Sequence, residues 1–301
     1  MKGETVMPYS YETVICNKDK NVLTIIMNRP ERLNALDDKL EPDLHNALDE
    51  GDNDPSVRCM IITGAGSSFC VGYDMAVAQG EKSILDPSRF DSVGDFLEFW
   101  QVNDYKAIQQ YQLHLFRLKK PVLAAVHGYC LGGGMWLAVA CDMTYCSEDA
   151  VFAQPEVRHN SNSTFLIPAL CGWKHASRWL LTGDHFDGKE AARIGLVNEC
   201  VPENQLMSTV MHVAERIAKV PPHSVRCMKR MIMSGFLSYG LAAALEQCAA
   251  ISALGHASHG PERDAMFAAQ AKKGLKGFLE ERDGPFQPEP KGPKSQVRKK
   301  V

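Results

Sequence analysis

Two glycine-bearing loops carry residues whose types and spacing could do chemistry. The first runs from Gly64 to Asp74, and the second runs from His127 to Gly134 and ends in three successive glycines. Because glycine lacks a Cβ, such backbones can approach a ligand closely, and free N–H groups at the start of a helix favour negative charge. Taken alone, the loops indicate either a site for an anionic group or only tight packing of the chain.

Phosphate binding is the first alternative for these loops. Neither loop contains the Gly-Lys-Ser/Thr of a P-loop, and neither has the position and downstream acidic residue of a dinucleotide-binding fingerprint. The ten cysteines include no C-x-x-C pair, which argues against a zinc knuckle or a thioredoxin-like site and favours a reducing compartment. No His/Cys/Asp cluster has metal-ligand spacing, so we predict no metal.

The loops follow predicted strands, which must position them. Apolar runs at residues 22–27, 57–63 and 121–126 are typical of buried strands, and shorter strand-like segments recur at 143–146 and 151–153. Helical spacing is present at 37–50, at 104–118 and from 134 to 140, whereas residues 76–103 are polar and irregular. After Ser163 the pattern is almost wholly helical. We therefore predict an α/β fold with a helical appendage.

Length and composition fit one large domain. The chain has 301 residues, of which 45% are hydrophobic and 23% charged. We predict a core domain over residues 1–200, a helical region over 201–283 and a disordered tail over 284–301. The tail contains four prolines and several lysines.

Charge and hydropathy argue against several classes of partner. The net charge is −3 and the pI is about 6.4, so no global basic field attracts nucleic acid. No run of eighteen uninterrupted apolar residues is present, the first residues do not form a signal peptide, and Lys299-Lys300-Val301 is not a peroxisomal signal. We expect a cytoplasmic protein that binds neither nucleic acid nor membrane.

The order of several motifs along the chain is more specific than either loop alone. In this order the chain resembles the enoyl-CoA hydratase/isomerase (crotonase) family from about Val14 to Pro285. The resemblance is carried by Asn28-Arg29-Pro30, Leu33-Asn34-Ala35-Leu36, Gly72-Tyr73-Asp74, residues 121–128 with Gly132-Gly133-Gly134, Ala140-Cys141-Asp142, residues 152–156, Leu181-Thr182-Gly183, residues 195–198 and residues 278–282.

The resemblance implies a spiral of ββα turns with a C-terminal helical region, assembled as trimers or pairs of trimers. It also implies an acyl-CoA substrate, with coenzyme A as part of the substrate and no separate cofactor. The thioester oxygen would accept hydrogen bonds from the backbone N–H groups of Tyr73 and Gly133, an oxyanion hole. Further contacts to coenzyme A or the acyl group are implied for Arg32 (near the phosphates), Leu33, Ala35, Asp74, Met75, Ala76, Gly132 and Trp136.

The acid–base residues depart from the hydratases of the family. Hydratases place one Glu two residues after the glycine triplet and a second Glu twenty residues later, whereas this chain has Trp136 and Glu156 at these positions. Hydration needs one group to activate water and another to deliver a proton, but a 1,3-proton shift needs only one base. The sequence therefore favours double-bond isomerisation with Glu156 as the sole base.

Other functions and ordinary structural roles stay open at this point. A hydratase could take a second base from residues 76–116, with Asp95, Glu98 and Asp104 as candidates; a β-keto hydrolase and a non-catalytic acyl-CoA or RNA binder are further alternatives. Glu156 could instead pair with Arg158 or cap a helix, and Trp136 could simply be buried. We expect His127, Asp74 and Asp142 to form structural hydrogen bonds. A proton-shuttle role for His159 is a further alternative.

Overall fold

A six-stranded and a three-stranded sheet form the centre of the computed structural model, which describes residues 9–76, 85–159, 165–257 and 260–289. The larger sheet has the order β1-β2-β3-β4-β6-β9, in which only β1 and β2 pair antiparallel. In the smaller sheet β7 lies between β5 and β8. The strands are β1 Val14–Asp19, β2 Val22–Met27, β3 Cys59–Gly64, β4 Val122–Val126, β5 Tyr129–Leu131, β6 Met143–Ser147, β7 Val151–Ala153, β8 Phe186–Asp187 and β9 Glu199–Val201.

Ten helices surround the sheets in the described part of the chain. They are α1 Leu40–Asn53, α2 Val93–Ala107, α3 Leu113–Arg117, α4 Gly133–Ala140, α5 Leu166–Leu180, α6 Gly188–Arg193, α7 Leu206–Ala218, α8 Pro222–Phe236, α9 Ala242–Ala257 and α10 Pro261–Asp283. A π-helical turn, Ile108–Gln112, joins α2 to α3. The helix α1 packs on one side of the larger sheet and α7 on the other, so the apolar strands β3 and β4 are buried throughout.

Parallel pairing brings the predicted loops together. Because β2, β3 and β4 run parallel, the loops that follow them leave the same edge of the sheet. The buried side chain of Asn34 joins two of these loops: its Nδ2 donates to the Ala65 and Ser68 carbonyls, and its Oδ1 accepts from the Arg29 N–H. At Gly128 any Cβ would overlap the Ser67 carbonyl, so only glycine allows the loops to pack this closely.

The predicted strands at 22–27, 57–63 and 121–126 are confirmed, but one part of the sequence interpretation is wrong. Residues 93–103, predicted as irregular, belong to α2, which begins where Ser92 Oγ accepts from the Asp95 N–H at 3.1 Å. The C-terminal part, predicted as almost wholly helical, also contains β8 and β9. These strands have two and three residues, too few to show a period in sequence.

The prediction of disorder from Gly284 onward is wrong for residues 284–289, and residues 290–301 lie outside the described residues. The Glu289 side chain is 0% exposed, its Oε1 accepts from Arg158 Nη1 at 2.7 Å, and its Oε2 accepts from the His185 backbone N–H at 2.8 Å. This buried ionic contact holds a segment whose composition alone is typical of a mobile end.

By length and composition, the helical stretch Pro222–Ala257 is able to cross a membrane. Gly240 interrupts that stretch with a φ of 92°. Lys229, within α8, is buried and pairs with Asp142 at 2.7 Å. This ion pair docks α8 on the loop before β6, and the expectation of no membrane association stays a prediction.

Candidate active site

The backbone N–H groups of Tyr73 and Gly133 lie at the junction of the two glycine-bearing loops. Tyr73 forms a parallel bridge with Leu36, in which the Leu36 N–H donates to the Gly72 carbonyl and the Asp74 N–H donates to the Leu36 carbonyl, both at 2.8 Å. The Tyr73 N–H therefore points away from Leu36. Gly133 opens α4, and a Cβ built on Gly72 would lie 3.1 Å from its nitrogen. Within the described residues neither N–H has a hydrogen-bond acceptor.

Glu156 lies directly against the glycine triplet. It belongs to the 3-10 turn Pro155–Arg158, and a methyl group at Gly132 would overlap its Oε1. Its Oε2 is buried and has no partner among the described residues. Burial raises the pKa of the Glu156 carboxyl from its ordinary value of 4.5 to about 7. A carboxyl in this state can take up or release a proton near neutral pH.

The alternative in which Glu156 pairs with Arg158 is wrong. The Arg158 guanidinium, 1% exposed, is held instead by Asp184 at 3.1 Å, Asp283 at 3.1 Å and Glu289 at 2.7 Å. Within the part of the chain that the structure describes, Glu156 forms no ion pair, and the charge of Arg282 only partly offsets the effect of burial on its pKa.

The expected structural roles of three polar residues are confirmed. His127 Nε2 lies 3.1 Å from the Gly66 carbonyl. Asp142 accepts from the Val122 N–H at 2.8 Å, and Asp74 accepts from the Ala76 N–H at 3.0 Å. His159 is 9% exposed, and burial holds the pKa of its imidazole well below the usual range.

Trp136 stands one helical turn after Gly133, at the position of the missing carboxylate. Its Nε1–H donates to Gln154 Oε1 at 3.0 Å, and Gln154 Nε2–H donates to the Gly132 carbonyl at 3.0 Å. The Trp136 ring meets the Tyr73 ring edge-on with centroids 6.1 Å apart. The indole is therefore fixed against the glycine triplet.

A second carboxyl lies on the far side of Tyr73. The Tyr73 phenol donates to Glu41 Oε1 at 2.9 Å, and a Cβ on Gly133 would lie 2.9 Å from the Tyr73 ring. Burial raises the pKa of Glu41 to about 7 although the phenol hydrogen bond lowers it. Glu41 is thus one tyrosine ring away from the glycine triplet.

A small cavity, partly open to solvent, begins beside Gly133. It runs along α4 from Gly133 to Ala140, seven residues or about 10 Å at the rise of an α-helix. The opposite walls are the first turns of α1 and the π-helical turn Ile108–Gln112. Trp136 and Tyr73 line it next to Gly133, where their rings are in edge-to-face contact.

Of the eight predicted contacts with coenzyme A or the acyl group, Trp136 lines this cavity. The other seven do not line it: Arg32, Leu33, Ala35, Asp74, Met75, Ala76 and Gly132. Arg32 is exposed, whereas Ala35 is 5% exposed. Their contacts with coenzyme A stay predictions.

The candidates for a second base lie elsewhere. Asp95 and Glu98 are exposed on α2, and Asp104 is buried, with its pKa raised by burial to about 6. None of the three lines the cavity, and among the described residues no group of His, Cys, Asp and Glu could hold a metal ion. Sequence reasoning missed Glu41, Gln112 and Gln154; only Gln154 had a signal, because it lies inside a family motif.

Comparison with known proteins gives a consistent result. The family model for enoyl-CoA hydratase/isomerase matches residues 17–289. The short-chain-enoyl-CoA hydratase of Clostridium acetobutylicum is 31% identical over 88% of this chain and 97% of its own length. A peroxisomal Delta(3,5)-Delta(2,4)-dienoyl-CoA isomerase of Arabidopsis thaliana is 33% identical over 74% of this chain and 81% of its own length.

Solved structures agree with this result. The crystal structure of an enoyl-CoA hydratase/isomerase from Xanthobacter autotrophicus Py2 matches with a TM-score of 0.81 and 31% identity, covering 92% of this chain and 99% of the other. The fold predicted from the resemblance, an α/β spiral with a helical C-terminal region, is confirmed. With a matching family model, relatives and fold, the chain belongs to the enoyl-CoA hydratase/isomerase family.

Proposed function

We propose that this protein isomerises the double bond of an enoyl-CoA, with Glu156 as the only base at the reacting carbons. The observation that carries the proposal is the Glu156 carboxyl, which lies against Gly132, has no partner for Oε2 among the described residues and has a pKa of about 7. A base in this state can both remove a proton and return it.

The reaction is a 1,3-proton shift. Glu156 removes a proton from C2 of a 3-enoyl thioester, and the electron pair moves into the thioester carbonyl to form a dienolate. The N–H groups of Tyr73 and Gly133 donate to the enolate oxygen; loss of one such donor typically costs about 10²–10³ in rate. The protonated Glu156 then delivers the proton to C4, and the double bond moves to C2–C3.

Trp136 supports isomerisation over hydration. Hydratases of the family carry a carboxylate here, but Trp136 Nε1–H only donates, and its partner is Gln154. The indole therefore cannot activate a water molecule as a base.

The test measures three reactions on one enzyme preparation. Purified protein is given a 3-enoyl-CoA, a 2-enoyl-CoA and a cyclic β-diketone, and products are separated by chromatography. We expect isomerisation to dominate. In the Glu156→Gln variant the isomerisation rate should fall about 10²–10⁴-fold, and solvent exchange of the α protons should be lost as well. The control variant Glu148→Gln, which changes an exposed carboxylate, should keep both activities. Hydration or diketone cleavage as the main wild-type reaction would refute the proposal.

One observation favours a second candidate function, enoyl-CoA hydration. Glu41 has a pKa raised to about 7 by burial and lines the same cavity, which gives the site a second carboxyl close to neutral pH. Several relatives, including that of Clostridium acetobutylicum, are named hydratases. If Glu41 acts on water, Glu41→Gln should abolish hydration and leave α-proton exchange by Glu156 in place. Unchanged hydration in a folded Glu41→Gln protein would exclude this role.

We further propose that the chain assembles as a trimer or a pair of trimers through its helical region. The helix α8 exposes four large apolar side chains, Met228, Met231, Ile232 and Phe236, at 54%, 60%, 48% and 42%. An apolar surface of this kind marks protein contacts. Light scattering coupled to size exclusion measures the mass, and a monomer at micromolar concentration would contradict the assembly.

A further inference from the structure

The cavity beside Gly133 contains a buried amide that the proposed mechanism does not use. Gln112 ends the π-helical turn, lines the cavity and is 4% exposed. Neither its Oε1 nor its Nε2 has a hydrogen-bond partner among the residues that the structure describes. Buried amides in native proteins are nearly always paired, with protein groups, ordered water or a ligand, so the Gln112 amide still needs a donor and an acceptor. Single π-helical turns are frequent at functional sites.

A histidine chain adds one ring nitrogen to the same polar set. The exposed carboxylate of Asp49 can only accept, so His114 Nε2–H donates to it at 2.9 Å. His114 Nδ1 lies 2.7 Å from His45 Nδ1, so these two nitrogens share one hydrogen bond. Burial lowers the pKa of His45 to about 3, so this ring is neutral, and its Nε2 has no hydrogen-bond partner among the described residues. His45 lines the cavity.

The charges of the wall restrict the chemistry of the ligand. The cavity is lined by Glu41 and, among its described lining residues, by no Lys or Arg, so a carboxylate on the acyl chain would be buried without a cation partner. An ammonium group would leave the Gln112 N–H donors unpaired. A plain alkyl chain would leave the Gln112 amide and His45 Nε2 unpaired. A hydroxyl both donates and accepts, and it carries no charge.

We infer that the acyl group of the substrate carries a hydroxyl beyond the reacting carbons, held by Gln112 and His45. The inference rests on the proposed function only in placing the thioester carbonyl at Gly133 and the acyl chain in the cavity. It concerns the substrate class and is independent of whether the reaction is isomerisation or hydration.

Binding of saturated acyl-CoAs tests the inference without turnover. Calorimetry compares hexanoyl-CoA with 5-hydroxyhexanoyl-CoA, 6-hydroxyhexanoyl-CoA, adipoyl-CoA and 6-aminohexanoyl-CoA. We expect one hydroxylated ligand to bind about tenfold more tightly than hexanoyl-CoA, as one or two net hydrogen bonds would give. Gln112→Met, which keeps the length of the side chain, should remove this preference, and the control Gln110→Met, an exposed neighbour, should keep it.

Each other outcome overturns the inference. Equal binding of hexanoyl-CoA and both hydroxylated ligands shows that the cavity takes a plain chain, and tightest binding of the adipoyl or aminohexanoyl ligand shows that it recognises charge. A hydroxyl preference that survives in folded Gln112→Met removes Gln112 from the site. If Gln112→Met does not fold, the wild-type series decides alone. Failure of isomerisation with an intact hydroxyl preference would refute the proposed reaction and leave this inference standing.

Discussion

Titration of Glu156 should appear both in the stability of the protein and in its activity. The carboxyl has an ordinary pKa of 4.5 in the unfolded chain and a pKa raised by burial to about 7 in the folded protein. Between these values the folded state binds more protons than the unfolded state. The free energy of unfolding therefore falls as the pH rises through this window.

The size of the effect follows from the two values. Each pKa unit corresponds to about 1.4 kcal/mol, so the change from 4.5 to about 7 gives at most about 3 kcal/mol, and partial exposure of the side chain reduces this to about 2 kcal/mol. Gln cannot ionise. The difference in free energy of unfolding between Glu156→Gln and wild type should therefore grow from pH 4.5 and level off above pH 7.

Urea denaturation at a series of pH values measures this difference. The buried amide of Gln adds an offset to the curve, but that offset does not depend on pH, so the slope is the diagnostic quantity. In wild type, kcat/KM for isomerisation should rise through about pH 7, because only the ionised carboxylate removes a proton. A difference that stays flat from pH 4.5 to 8, with activity constant over the same range, would refute a buried, weakly acidic Glu156.

Three further substitutions test other parts of the site. Arg32→Ala should raise KM for an acyl-CoA and leave kcat nearly unchanged, because the lost contact would stabilise the ground state and the transition state equally. A fall in kcat at unchanged KM in steady-state kinetics would contradict this. Trp136→Glu should give at most weak hydration, because it breaks the hydrogen bond to Gln154 and leaves a cavity; turnover comparable to isomerisation would contradict it. Glu289→Ala should lower the free energy of unfolding by about 3 kcal/mol in urea, because it breaks a buried ion pair with Arg158; an unchanged urea midpoint would contradict it.

Much of the core was predictable because its signals are local. The strands β2, β3 and β4 are continuous apolar runs, and parallel strands buried on both faces require such runs. The start of α2 was missed because Gly94 and polar neighbours hide a helical spacing of aromatic residues. Phe96 and Trp100 carry that spacing, and Phe96 is 1% exposed. Its burial depends on tertiary packing that a local pattern does not contain.

The site was only partly predictable. The positions of Gly133 and Glu156 followed from the family motifs, and the structure brings the Glu156 carboxyl against the glycine triplet. The carboxyl of Glu41 and the amide of Gln112 reach the cavity from α1 and from a π-helical turn. Neither residue belongs to a motif, and a π-helical turn has no sequence signature, so the polar character of the cavity emerges only from the three-dimensional arrangement.

The C-terminal segment anchors the turn that carries Glu156. Arg158 is two residues from Glu156 on this turn, and its guanidinium binds Asp283 and Glu289, which are 125 and 131 positions further along the chain. Burial is the largest cause of the raised pKa of Glu156, about 7. Two charges of the same C-terminal segment act on this carboxyl in opposite directions, because Arg282 lowers its pKa and Asp283 raises it. The end of the fold therefore both holds the turn in place and contributes to the electrostatic environment of Glu156.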